Sequence, residues 1–416
     1  MFFRLKQWVK RILLLIGKRL RIDLLYVARS GFWLTSSQFL STLLTFILSV
    51  AYANLMPKEV YGSYRYVLSI VGILSITALP GINDALLRAV ARGQEGSLAL
   101  AVKKKISWGL LGGLACLAVA LYYFYGNQSS IASAFLVAAV FVPFTDAFAT
   151  YDAFLQGKKL FRASAVFFVI FQCAFAGLLS LVLFLTHELV LVLAAYFIIT
   201  IGTRLALYLT AVRLYRPNEK IDFSITPYGK HLSAMGIVGS ISSYLDRLLL
   251  FHYVGPLGVA AYTVAVGPPE QIKGYIKNIY SIAVPKFSRQ TETEIRSTIR
   301  HKALLLLIAL VGIVALYIIL APTLFHLLFR NYSDAIIYTQ LYAISLLSGV
   351  NILYYSALQS QAAIKKLYYF SFAGPILLII LELTLIPTFG ILGAIIAKTA
   401  ARFLTTAVSF WLVEKK

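Results

Sequence analysis

Apolar residues run through this chain in blocks of about twenty, separated by short polar stretches rich in lysine and arginine. At about 1.5 Å per helical residue, one such block covers the roughly 30 Å of hydrocarbon in a bilayer. Twelve blocks are readable: Gly31–Asn54, Gly62–Ile82, Ile106–Gly126, Ile131–Phe154, Ala163–Leu185, Leu189–Ala211, Leu232–Val254, Val259–Val284, Ala303–Pro322, Ile336–Ala357, Leu367–Ile386 and Ile391–Leu412. The pattern predicts an all-α, polytopic membrane protein of about twelve transmembrane helices. A barrel would need alternating segments of about ten residues, half the length seen.

The polar stretches then set an orientation. Of the 38 Lys and Arg residues, 29 fall in the loops of one side and in the two termini. The other side has only Lys58 and Arg330. Cytoplasmic loops concentrate Lys and Arg, so both termini are expected in the cytoplasm of a bacterial-type plasma membrane. This also accounts for the net charge of +22 without nucleic acid as a partner. Residues 1–30 are basic, with Phe2, Phe3, Leu5, Trp8 and Val9 interspersed. They read as an interfacial amphipathic segment on anionic lipid, with a disordered basic tail as the alternative.

Two patterns recur about half a chain apart. PKEVYGSY (Pro57–Tyr64) is echoed by PLGVAAY (Pro256–Tyr262), and LQGKKLF (Leu155–Phe161) by LQSQAAIKKLY (Leu358–Tyr368). The chain divides on this reading into a six-helix bundle over 31–211, a cytoplasmic linker over 212–230 and a second six-helix bundle over 231–416. An even number of spans per half gives both the same orientation, with pseudo-symmetry about the membrane normal and a central cavity.

The segments AYANLMPKEVYGSYRYVLSIVGILSI, AFLQGKKLFR and YLDRLLLFHYVGPLGVAAYTVA, in that order, resemble Wzx-type polysaccharide flippases. These belong to the multidrug/oligosaccharidyl-lipid/polysaccharide exporter superfamily. Asp246, Gly255, Tyr262 and Ala265 match the seventh-span pattern, whereas Met56 and Ala260–Ala261 depart from glycine positions. The resemblance implies transport of a polyprenyl-pyrophosphate-linked oligosaccharide from the inner to the outer leaflet by alternating access. It also implies an anionic lipid-linked glycan as substrate, and assembly partners such as a polysaccharide polymerase.

Charges within the spans point the same way. A charge at bilayer depth costs about 2.5–3.5 kcal/mol on insertion scales, so it faces a cavity or a partner. The span cations are Arg65, Arg204, Arg247, Lys273, Lys277, Lys398 and Arg402, and the deep anions are Asp146, Asp246, Glu270 and Glu382. Glu270, Lys273, Lys277 and Tyr280 are spaced to share one helical stripe after Gly267, Pro268 and Pro269, which are expected to break the helix as a hinge. The alternative is a self-satisfied Glu270–Lys273 pair with Lys277 snorkelling to headgroups. Lys273, Lys277, Lys398, Arg402, Arg247 and Arg65 are the candidate cations for a pyrophosphate. Glu270, Asp246, Asp146, Tyr262, Tyr275, Asn278 and Tyr280 are the polar or coupling candidates.

No Walker A or HExxH pattern is present, the five histidines lack ligand spacing, and no loop is long enough for a catalytic domain. Neither an enzyme nor a cofactor or metal is expected. The rival readings are a multidrug efflux antiporter on the same fold, which needs a net-negative cavity, and a membrane-embedded glycan polymerase or ligase, which needs a long outer loop.

Overall fold

The computed structural model describes residues 24–276, 283, 287, 290–361 and 364–414, with side chains from Ser36 onward except at 292, 362–371 and 414. The basic segment before residue 24, together with Lys277, Asn278 and Tyr280, lies outside the described residues.

The described chain is helical throughout. In order, the first half contains α1 (Leu24–Leu55), α2 (Lys58–Leu74), α3 (Ile82–Ala91), α4 (Ser97–Tyr125), α5 (Ser129–Thr145), α6 (Thr150–Gly157), α7 (Phe161–Leu185) and α8 (Leu189–Tyr215). The second contains α9 (Ile225–Met235), α10 (Ile237–Tyr253), α11 (Pro256–Ile276), α12 (Glu292–Leu328), α13 (Ile336–Ala343), α14 (Asn351–Ser360) and α15 (Ile364–Glu414). Many large apolar side chains point outward, such as Leu114, Ile170, Leu181 and Ile319. Helices that are apolar on the outside as well as in the core suit lipid, not water.

Among the described residues, eight helical segments are long and apolar enough to cross a bilayer. Two bent pairs, α2–α3 at 44° and α9–α10 at 45°, each supply one more. The remaining two passes follow from local chemistry. The 21-residue α11 is long enough to span, but Glu270 and Lys273 lower its hydropathy. In α15, Gly390 has φ +55° and ψ −125°, a backbone that only glycine adopts readily, and the helix folds back there. A Cβ built on Gly393 would meet the Leu385 carbonyl oxygen, and one built on Gly374 would lie 3.3 Å from Thr405 Oγ1. Residues 31 apart in a straight helix would be separated by about 46 Å. The two limbs are therefore antiparallel, and the described residues make about twelve passes, the number the apolar pattern predicts.

The halves meet along a seam between α2 and the α10–α11 corner. The sites of Gly62 and Pro256 touch, as do those of Gly72 and Tyr244. Between them, the Tyr66 and Phe251 rings stack 3.8 Å apart. Falling numbers on one side against rising numbers on the other mean antiparallel packing along about 15 Å, half of a span. Small residues permit the approach where bulk would hold the helices apart.

Between the halves, α8 ends at Tyr215 and α9 begins at Ile225, with a short non-helical stretch between them. It is pinned to the first half. The Asn218 side chain donates to the Gly93 carbonyl at 2.9 Å, and the Asn218 backbone N–H donates to the Glu95 carboxylate at 3.2 Å. The Asp222 carboxyl, which accepts from Ser224, is held below the usual carboxylate range by that bond.

The glycine-proline-proline sequence does not interrupt its helix as expected. α11 runs from Pro256 to Ile276 through Pro268 and Pro269, both buried. Proline fixes φ near the helical value, and in a span the freed carbonyls are accommodated by packing and neighbouring polar groups.

Candidate functional site

Two ion clusters occupy the interior of the second half. In the first, Asp246 of α10 is fully buried. The Tyr262 hydroxyl donates to its Oδ2 at 2.6 Å, and Lys398 Nζ reaches the same oxygen at 2.5 Å. Arg247 Nη1 lies 3.5 Å from Oδ1. In the second, Glu270 of α11 accepts from the Tyr342 hydroxyl and from the Arg402 guanidinium on one oxygen. Lys273 stands 3.7 Å from the other oxygen. Arg402 also donates to Ser345 Oγ at 2.8 Å and lies over the Tyr342 ring. Helices α10, α11, α13 and α15 and the 3-10 turn Ile344–Val350 are thereby tied together, with each of the two carboxylates facing two cations.

A cavity of about 520 Å³ opens beside these clusters. Its described lining comes from the second half alone: Ser242, Ser243 and Arg247 from α10, Glu270 and Lys273 from α11, Ser348 and Asn351 near the start of α14, and both limbs of α15. The return limb contributes Lys398, Arg402 and Thr405, each about one turn beyond the last, so they share a face. Four cations thus border the cavity with one carboxylate, Glu270, and with Asp246 behind the wall. The excess charge is positive.

The site residues expected from sequence divide into groups. Arg247, Glu270, Lys273, Lys398 and Arg402 are brought together at the cavity, with Asp246 and Tyr262 behind them. Tyr275 instead tilts against Phe39 of α1, with ring centres 6.0 Å apart, and is not part of the lining. Arg65 belongs to the first half, among Tyr52, Tyr61, Tyr64 and Tyr196, away from this cavity. Asp146 is likewise in the first half, 2.5 Å from Lys105 and 3.7 Å from Arg204.

Lys105 falls just before the apolar block that opens at Ile106, yet it is fully buried and, besides pairing with Asp146, donates to Asn83. α4 begins at Ser97, so Lys105 is already two turns into the helix. It shares the inward stripe of Ala101, Gly109 and Gly112, a placement the Lys103–Lys105 run conceals. Glu382 is a second residue whose setting the sequence did not reveal. It is fully buried in the outgoing limb of α15, and neither oxygen has a hydrogen-bond partner. Its charged neighbours are Asp246, Lys398 and Arg247.

These features define a polytopic transporter of the exporter-superfamily fold, with a positively charged interior cavity. The chain belongs to the polysaccharide biosynthesis protein family, whose sequence profile matches residues 27–291. It is 23% identical to the uncharacterized membrane protein MJ1068 of Methanocaldococcus jannaschii, over 92% of this chain and 83% of that one. Among solved structures, it resembles the lipid II flippase MurJ in an inward closed conformation, with a TM-score of 0.72, 11% identity and coverage of 92% and 87% of the two chains. An inward-facing multidrug resistance MATE family transporter gives a TM-score of 0.66 with 14% identity, over 90% of this chain and 93% of the other. A multidrug/oligosaccharidyl-lipid/polysaccharide superfamily transporter from Pyrococcus furiosus, described as having a binding pocket of reverse polarity, gives 0.59 with 13% identity, over 92% and 94%. The fold and the multi-pass membrane setting are those the apolar pattern predicts.

Proposed function

We propose that this protein is a flippase that carries a polyprenyl-pyrophosphate-linked oligosaccharide from the cytoplasmic to the outer leaflet of the plasma membrane, for assembly of a surface polysaccharide. The observation that supports this reading best is the cavity's excess of cations. Arg247, Lys273, Lys398 and Arg402 border it against Glu270 and the buried Asp246. Phosphoryl oxygens are bound most strongly by charge-assisted donors of this kind. The same excess repels a cationic drug, so it weighs against multidrug efflux. Lys277 follows one turn after Lys273 in sequence and remains a candidate for the same task.

Both termini are assigned to the cytoplasm from the distribution of lysine and arginine. With the cytoplasm negative, each negative charge moving outward is favoured by about 2.3 kcal/mol per 100 mV. A doubly charged head therefore moves downhill electrically, and rocking of the two halves about the α2–α10 seam supplies alternating access. The reading assigns the chain to transport and not to catalysis.

Depleting the protein tests the proposal. A carrier-linked glycan should accumulate with its sugar facing the cytoplasm, and polymer should disappear from the surface. Normal surface polymer together with no accumulated intermediate would overturn it.

A further inference from the structure

A second cavity, of about 540 Å³, lies at the end of the molecule opposite the basic loops. It sits where the α4–α5 turn meets the end of α10, on the seam between the halves. Its floor is aromatic. The stacked Tyr66–Phe251 pair lies next to Tyr123, whose hydroxyl is 2.5 Å from that of Tyr66. Its rim carries Tyr122 and Tyr125, which are 73% and 85% exposed, with Gln128 and His252. No lysine, arginine or carboxylate is among its described lining residues.

We propose that this cavity is a docking site for a sugar ring of the transported glycan, on the side where the glycan emerges. The proposal rests on the flippase reading above and adds a second subsite to it. A pyranose presents an apolar C–H face and an equatorial ring of hydroxyls. Flat aromatic faces cover the first, and tyrosine hydroxyls, a carboxamide and an imidazole satisfy the second. The absence of cations in the lining makes the site unsuited to the pyrophosphate, which the charged cavity of the second half takes. The division of labour follows the chemistry of the substrate, an anionic lipid head attached to a neutral polar chain. Interfacial tyrosines also form simple membrane belts. Here they line a concavity whose wall also carries the hydrogen-bonded Tyr66 and Tyr123 hydroxyls, whereas Phe124, 66% exposed on the same turn, does not line it.

Saturation-transfer difference NMR on the purified full-length protein tests the site, with N,N′-diacetylchitobiose and maltose as probes. The wild-type protein should transfer saturation to ring protons of at least one probe. Tyr122→Ala with Tyr125→Ala should weaken that binding by about 2- to 10-fold per ring removed, the range for an aromatic contact. Gln128→Ala, a change at an exposed turn, should weaken it as well, and Phe124→Ala should not. The site is overturned if wild type gives no signal with either sugar, if the tyrosine variant matches wild type, or if Phe124→Ala lowers the signal equally. The measurement needs no transport. Failure here leaves the flippase reading standing, and failure of the depletion experiment leaves a measured sugar site standing.

Discussion

Lys398 Nζ lies 2.5 Å from Oδ2 of Asp246, an aspartate with no solvent exposure, across 152 positions of sequence. The pair fastens the return limb of α15 to α10, two elements that both line the charged cavity. Because Arg247 also faces Asp246 at 3.5 Å, the aspartate is the common anion of two cations.

Removing that anion should therefore be worse than removing either cation. Breaking a buried pair on one side costs about 3–5 kcal/mol, mostly from the charge left behind. Asp246→Asn leaves Lys398 and Arg247 facing each other, while Lys398→Gln leaves Asp246 with Arg247. The expected order of melting temperature in purified protein is wild type, then Lys398→Gln, then Asp246→Asn. The double change should recover part of the loss of the aspartate variant. Equal melting temperatures across the series would show that the cluster does not hold these helices together.

Lys273 offers a test of charge without that structural penalty. Glu270 is already engaged by Arg402 and Tyr342, so Lys273 at 3.7 Å is its more distant cation. Lys273→Ala should keep its abundance in the membrane and lose most glycan export, and Lys273→Arg should restore part of it. Arg402→Ala should instead reduce abundance, because it removes the nearer cation of Glu270 and the donor to Ser345. Full export by Lys273→Ala at normal abundance would remove this lysine from the substrate path.

The helical hairpin of α15 can be trapped covalently. In a variant lacking Cys116 and Cys173, cysteines placed at Gly374 and Thr405 should form a disulfide on mild oxidation, since a Cβ at 374 faces Thr405 closely. Proteolysis near Gly390 followed by non-reducing electrophoresis reads the link as two fragments that stay together. Separation of the fragments would mean that the limbs are not side by side.

Much of this architecture was readable from block length and charge alternation, because lipid allows few ways to satisfy a backbone. The passes and the turn between the last two at Gly390 follow from that, and the cost of a charge at bilayer depth singles out Arg247, Glu270, Lys273, Lys398 and Arg402 as residues needing a cavity or a partner. What was not readable depends on distant partners. Lys105 lies in a run of three lysines that looks like a loop, and its partners Asn83 and Asp146, 22 and 41 residues away, explain its burial. Arg65 and Asp146 have span-depth charges like the cavity residues, yet they are held in the first half. Pro268 and Pro269 looked like a helix break, but their buried surroundings keep α11 continuous. Local sequence states that a charge or a proline must be accommodated, and the packing around it decides how.

The α2–α11 contact at one end of the seam makes a prediction about movement. A Cβ added to Gly62 would fall 1.8 Å from the Pro256 carbonyl oxygen, a backbone atom that cannot turn aside. Gly62→Ala must therefore push the two helices apart at the end away from the basic loops. One turn further along, Phe251 lies half-buried against Tyr66, so wedging the corner open should uncover it. If the halves close on this seam, a cysteine at position 251 should react faster with a membrane-impermeant maleimide in the Gly62→Ala background than with Gly62 intact. Export should fall in the same variant because the closed state is disfavoured, while protein remains in the membrane. Unchanged labelling together with unchanged export would show that the Gly62–Pro256 contact is not a closing surface, and the rocking of halves about this seam would fall with it.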